Sequence, residues 1–240
     1  MLFIFFIFGL CLGSFAMVLI ERLPNSQDII FTRSRCPKCH KNLNFYKLIP
    51  LISYLALKRE CKSCKFQIPA IYPISELLIG ILAILAYFIQ PNLILAVILV
   101  IIFTIFYALS VIDFRLKAVP NSLLMSGYFL AIIYAFISDI DNALNSLIII
   151  GFMIILKSTL MLLRKNAIEP MGDADSIFIG SMVAILGLKL GFIALFIGAI
   201  IQLIIHLIKK SSQIAFIPAL FVGFIIVLIS KFNNINLGLI

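Results

Sequence analysis

The sequence predicts an all-α integral membrane protein of about eight transmembrane helices, with a small cytosolic zinc-binding segment between the first and second. Three observations predict it. Hydrophobic side chains make up 63% of the 240 residues and charged ones 12%, with a mean hydropathy of +1.21; soluble domains are nearer half apolar and a quarter charged. The apolar residues form long runs, not the alternating ten-residue segments of a membrane barrel. Four of the five cysteines fall in one polar stretch as two C-x-x-C pairs. The formal net charge of +9 would point to nucleic acid in a soluble chain. In this chain it reads loop by loop as topology and contact with anionic membrane lipid, and no nucleic-acid partner is expected.

The first span covers residues 2–20. It has no basic n-region and no A-x-A site, so it reads as a retained span and not a removed signal peptide. Polar chain follows over 21–73. The second span, 74–88, is turned round by Gln90-Pro91-Asn92 into the third, 93–112. A short polar loop, 113–121, leads to the fourth span, 122–137, and an acidic turn to the fifth, 143–163. The sixth, 176–186, is near the lower limit for crossing at 1.5 Å per residue, so its helix is expected to begin outside the core near Asp173. Gly187–Leu190 turns the chain into the seventh span, which ends near Ile208, and the eighth runs over 214–230. Three parts follow: a first transmembrane helix (1–20), a Cys segment (21–73) and a membrane-embedded domain (74–240).

Basic residues orient these spans. Arg22, Arg33, Arg35, Lys38, Lys62 and Lys65 are among those in the first loop; Arg115 and Lys117, Arg164 and Lys165, and Lys209 and Lys210 occupy the third, fifth and seventh. The even loops hold Lys189 alone. By the positive-inside rule both termini lie outside, with the Cys segment and the acidic loops in the cytosol. Lys157, inside the fifth span near its cytosolic end, is expected to snorkel to the interface.

Cys36-Pro37-Lys38-Cys39 and Cys61-Lys62-Ser63-Cys64 stand about twenty residues apart. Four thiolates so spaced suit a closed tetrahedral zinc site, and a reducing cytosol argues against disulfides. Zinc would also fold a polar loop that has no sizeable core. With four Cys ligands no coordination position stays open, so the metal is structural. His40 is a possible substitute ligand that reads better as a surface residue, and Cys11 reads as a packing residue of the first span.

Two acids carry the chemistry. Asp113 ends the third span and Asp175 starts the sixth, and the topology puts both at one leaflet. Two carboxyls brought together share a proton, because like charges disfavour double ionisation. One then activates water, while the other polarises the carbonyl or protonates the leaving group. Asp113 stands at a helix C-terminus, where a carboxylate is disfavoured, and Asp175 at an N-terminus, where it is favoured. Asp175 is therefore expected to be the ionised base. A helix-capping role for Asp173 or Asp175 is the competing structural reading.

Several stretches resemble the prepilin peptidases, the type IV leader peptidases of bacteria: Gly13-Ser14-Phe15 with Val18, Arg22 and Pro24; the run from CPKC through LIPLISYLAL to CKSC and YPISEL; VIDFRLKAVPN; GDAD, like a G-x-G-D motif; and Phe216 with Pro218. The resemblance covers most of the chain. It implies that Asp113 and Asp175 are the catalytic pair, with Asp173 at the motif's variable position. It departs from the family pattern at Ala174, where the motif has its second Gly, at Ile217, and at Arg59-Glu60, where a Gly and a basic residue usually precede the third Cys. It also implies type IV prepilin or pseudopilin substrates, whose basic leader meets acidic residues such as Glu21, Asp113, Glu169 and Asp173. A second activity is implied as well, S-adenosylmethionine-dependent N-methylation of the new N-terminus. No glycine-rich nucleotide loop marks a site for that cofactor. A proton-coupled transporter and a non-catalytic zinc-stabilised assembly factor are the alternatives. Glu76, just inside the second span, needs a partner, expected in Arg22 or a lysine of the Cys segment.

Overall fold

The computed structural model describes residues 1–29, 32–36, 38–39, 41–42, 50–56, 59–163, 172–209 and 215–236. Within them the chain forms α1 (Leu2–Arg22), a 3-10 turn (Leu23–Asn25), α2 (Ile52–Ala56), α3 (Ile71–Ile89), α4 (Leu93–Leu116), α5 (Asn121–Ser138), α6 (Ile140–Leu163), α7 (Asp173–Leu186), α8 (Leu188–Lys209) and α9 (Ile217–Asn236). No strand occurs among the described residues, only two isolated β-bridges in the Cys segment. Local chemistry sets the helix ends. Asn92 caps α4 by accepting the Ile94 N–H at 2.9 Å. Lys117, in the left-handed region at φ 55°, closes it by returning its N–H to the Asp113 carbonyl at 2.8 Å. Pro120 precedes α5, and Pro218 falls in the first turn of α9, where a missing N–H costs nothing.

Helices α1, α3, α4, α5, α6 and α8 are long and apolar enough to cross a membrane, and α9 is apolar over Ile217–Phe232. In α6 and α8 only 17% of the apolar window is buried within the protein, so most of that surface faces lipid. Helix α7 is the exception. Its 14 residues rise about 21 Å, short of a bilayer core of about 30 Å. It begins at Asp173, as its length predicts. The turn after it is tighter than the sequence indicates: Gly187 alone, at φ 80°, separates α7 from α8.

The chain divides into two compact units, Met1–Thr104 and Ile105–Ile240. In the first, α1 packs along α3. A Cβ on Gly13 would sit 2.6 Å from the Glu76 Cα, so only glycine lets the two backbones approach this closely. Cys11 lies on the exposed face of α1 and is not the packing residue the sequence suggests. In the second unit α7 packs against α5, α6, α8 and α9. Nearly every residue from Ser176 to Leu186 is buried, as expected of a helix apolar all round. Phe106 of α4 contacts Phe178 of α7 and Phe224 of α9, with ring centroids 4.5 and 5.6 Å apart.

Candidate active site and metal centre

The second unit holds the acidic pair. Asp113, in the last turn of α4, is buried, and its Oδ2 accepts the Ile217 N–H at 3.1 Å. Ile217 opens α9, so the carboxylate sits where that helix presents its unsatisfied N–H groups. Asp175, half-buried in the first turn of α7, accepts the Gly172 N–H on Oδ2 at 3.2 Å. The capping role foreseen for this turn thus belongs to Asp175, through one oxygen. A carboxylate has acceptor sites to spare, so capping does not exclude chemistry at the other. Burial and the nearby charge of Asp113 push Asp175 up to about 6, against the Gly172 N–H and the Lys157 ammonium that draw it down, so the end of α4 and the start of α7 bring together residues far apart in the chain. Asp173 does not join them. It is exposed and binds the Lys157 ammonium of α6 at 2.6 Å. Lys157 therefore pairs within the protein, where the sequence suggests simple snorkelling.

Within the first unit, the sulfurs of Cys36, Cys39, Cys61 and Cys64 all lie within 4.8 Å of one another, and those of Cys36 and Cys64 are 3.7 Å apart. A tetrahedron with Zn–S bonds of about 2.3 Å has edges of about 3.8 Å, so the ligand set fits zinc. Each C-x-x-C lies in a tight turn closed by an antiparallel bridge, Arg35 with Asn42 and Glu60 with Gln67. The N–H groups of Ser63 and Cys64 draw the Cys61 thiol down to about 6. Cys64, despite the Phe66 N–H that lowers it, is pushed up to about 12 by desolvation and its neighbouring sulfurs. Four thiolates cannot share so small a space without a cation, and a divalent metal supplies one. His40 lies outside the described residues, as does Glu169.

Among the described residues Glu76 has neither of its expected partners. Its Oε2 accepts the Leu51 N–H at 2.8 Å, and Ser14 also bonds it. Arg22 is committed elsewhere, donating to the carbonyls of Asp28 at 3.0 Å, Thr32 at 2.8 Å and Arg33 at 3.3 Å. Tyr72 donates its hydroxyl to Glu21. Glu21, Arg22, Tyr54, Tyr72 and Glu76 line a cavity of about 670 Å³ within this unit. No sequence motif marks it, because its walls come from α1, α3 and the Cys segment together.

Residues 7–90 match the family model described as the Bacterial Peptidase A24 N-terminal domain. A Vibrio cholerae protein named prepilin leader peptidase/N-methyltransferase is 30% identical over 95% of this chain and 96% of its own length. A Bacillus subtilis protein of the same name is 30% identical over 94% and 93%. The chain belongs to the prepilin leader peptidase/N-methyltransferase family. A Myxococcus xanthus member is 36% identical over 62% of this chain, a match that spans 45% of that protein. No solved structure matches.

The departures from the pattern of the prepilin peptidase family now have physical readings. Ala174 lies in the first turn of α7 with no positive φ, so nothing there requires glycine. Gly172 is different: a Cβ would stand 3.3 Å from the Asp175 Oδ2 and crowd the carboxylate. At Ile217 the group that bonds Asp113 is the main-chain N–H, which any residue but proline supplies. Arg59 occupies the left-handed region at φ 65°, where glycine is at ease, and its guanidinium lies 5.8 Å from the Tyr54 ring centroid.

Proposed function

We propose that this protein is a membrane aspartic endopeptidase that removes the short basic leader of type IV prepilins and pseudopilins at the cytosolic membrane face, and then N-methylates the new N-terminal residue. The juxtaposition of Asp113 and Asp175 carries this reading. Asp175 as the carboxylate takes a proton from water, and the water oxygen attacks the scissile carbonyl carbon. Asp113 as the carboxylic acid donates a hydrogen bond to the carbonyl oxygen. Collapse of the tetrahedral species breaks the C–N bond, and a proton passes to the departing amine. The N–H groups of Ile217 and Gly172 hold the two carboxyls in orientation.

The basic loops put Asp113, Asp175 and the Cys segment in the cytosol, with both termini outside, where a leader that stays in the cytosol meets its apolar helix. Among the acids foreseen as docking points for that leader, Glu21 binds Tyr72 and Asp173 binds Lys157, so docking would have to displace these contacts. Zinc on the four cysteines would tie the two C-x-x-C turns together and fold the segment. The second activity implies S-adenosylmethionine, and the cavity of about 670 Å³ fits it. Glu76 and Glu21 offer negative charge for a cationic donor, and Tyr54 and Tyr72 offer ring faces. When bound, that donor supplies an electrophilic methyl group. A transporter reading has less support, since the acids stand at helix ends and not at a helix break in mid-membrane.

The test is purified protein incubated in lipid with a synthetic prepilin peptide and S-adenosylmethionine, with products read by mass spectrometry. Loss of the leader and one added methyl group is the expected result. An intact peptide at every pH would refute the peptidase reading, and a cut but unmethylated product the second activity.

A further inference from the structure

Lys157 is out of place by composition. It stands on α6 among the lipid-facing residues Ile154, Ile155, Leu156 and Leu160, yet its own side chain is only 11% exposed. A lysine in an apolar helix is costly without a partner and, when kept, marks function. Its ammonium lies 2.6 Å from Asp173 Oδ1, at the first residue of α7, and the same charge acts on Asp175 two residues later. Asp173 is 87% exposed, and an ion pair with so wet a partner adds little stability.

We propose that Lys157 is a positioning residue of the acidic site: through Asp173 it clamps the first turn of α7, and its charge favours the carboxylate form of Asp175. This rests on the peptidase reading of that site. The sequence expects Asp175 to be the ionised base from helix dipoles, but the structure removes that ground, because Asp113 also meets a helix N-terminus at Ile217. The Lys157 ammonium acts on Asp175 in the direction of the carboxylate. Among the described residues, burial and the charge of Asp113 from α4 oppose ionisation of Asp175, while the Gly172 N–H of its own turn and Lys157 from α6 favour it. Among the described residues, α5, α8 and α9 contribute no charge to it. Arg115 and Lys117 at the end of α4 are exposed.

The experiment compares wild type, Lys157→Met, Lys157→Arg and Asp173→Asn in lipid. The first readout is the pH profile of kcat/KM for prepilin peptide cleavage. The second needs no substrate: carbodiimide labels protonated carboxyls, and peptide mass spectrometry follows labelling of Asp175 against pH. Removing a cation beside a carboxylate disfavours ionisation, so Lys157→Met should move the acid limb and the labelling midpoint up by about half to one pH unit. Lys157→Arg should restore both. Asp173→Asn removes a neighbouring negative charge and should move both to lower pH. Shifts of opposite sign support the proposal. Unmoved midpoints in Lys157→Met, or activity lost in both variants with no shift, would overturn it and leave Lys157 a packing residue. If the wild type cuts no prepilin peptide, the peptidase reading fails, while the labelling arm still decides the role of Lys157.

Discussion

Ile217 donates its backbone N–H to Asp113 Oδ2 at 3.1 Å, joining positions 104 residues apart. The bond is buried and, with Asp113 as the neutral acid, worth on the order of 0.5–1.5 kcal/mol. Proline at 217 suits the first helical position and takes away only this donor and the isoleucine packing. Ile217→Pro should therefore lower kcat/KM for leader cleavage by a few-fold to roughly ten-fold, while Ile217→Val, which keeps the N–H, stays near wild type. Equal activity of the two would mean that the α9 N-terminus does not serve the acid.

Asp113→Asn and Asp175→Asn should each abolish cleavage while the protein still inserts and binds metal. Each carboxyl is needed in a different protonation state, and an amide can act neither as base nor as acid. Normal cleavage by either variant, measured on purified protein of unchanged zinc content, would end the two-carboxylate mechanism.

At Gly172 the prediction is steric. An added Cβ would lie 3.3 Å from Asp175 Oδ2, a contact that eases only if the carboxylate moves by a few tenths of an ångström. Gly172→Ala should reduce cleavage several-fold with little loss of thermal stability. Ala174→Gly should leave cleavage near wild type and cost about 0.5–1 kcal/mol of stability through helix propensity. The reverse order of effects would show that position 174 shapes the site.

Much of this was legible in the sequence, and the part that was not has one physical character. The spans stand out because apolar runs are broken by Pro, Gly, Asn and charge. The cysteine cluster stands out because Cys36, Cys39, Cys61 and Cys64 combine a rare residue with a ligand spacing, and their sulfurs meet as expected. Acids in so apolar a chain drew attention to Asp113 and Asp175. Their partners were hidden because they are main-chain groups: the N–H of Ile217 for Asp113, of Gly172 for Asp175, of Leu51 for Glu76. Every residue but proline carries that donor, so no residue type signals it. Charge counting fails for a related reason. Arg22 had a carboxylate partner to hand on paper, but its guanidinium is spent on three carbonyls of the Cys segment.

The metal prediction follows from the four sulfurs. Purified protein should contain one zinc ion per chain. Cys36→Ser and Cys61→Ser should lose it and make residues 21–73 sensitive to protease, since metal binding supplies the folding energy of so small a segment. Metal analysis finding no zinc in carefully prepared wild type would refute the assignment.

The last prediction concerns Arg59. Its φ of 65° costs a side-chain-bearing residue roughly 1–2 kcal/mol. The guanidinium over Tyr54 returns about 0.5–1 kcal/mol. Arg59→Gly removes both and adds about 0.5–1 kcal/mol of unfolded-chain entropy, so the three terms nearly cancel. This variant should keep its zinc and methylate a processed pilin peptide at a rate within about two-fold of wild type. Arg59→Val keeps the strained backbone, loses the ring contact and puts a branched Cβ where it fits worst. It should lose methylation first, because Tyr54 lines the cavity assigned to the methyl donor, while cleavage by Asp113 and Asp175 in the other unit continues. Mass spectrometry of the product reads both activities at once. If Arg59→Val cut and methylated like wild type, neither the left-handed backbone nor the Tyr54 contact would matter to the second activity; if Arg59→Gly lost its zinc, the guanidinium would be doing more than resting on a ring.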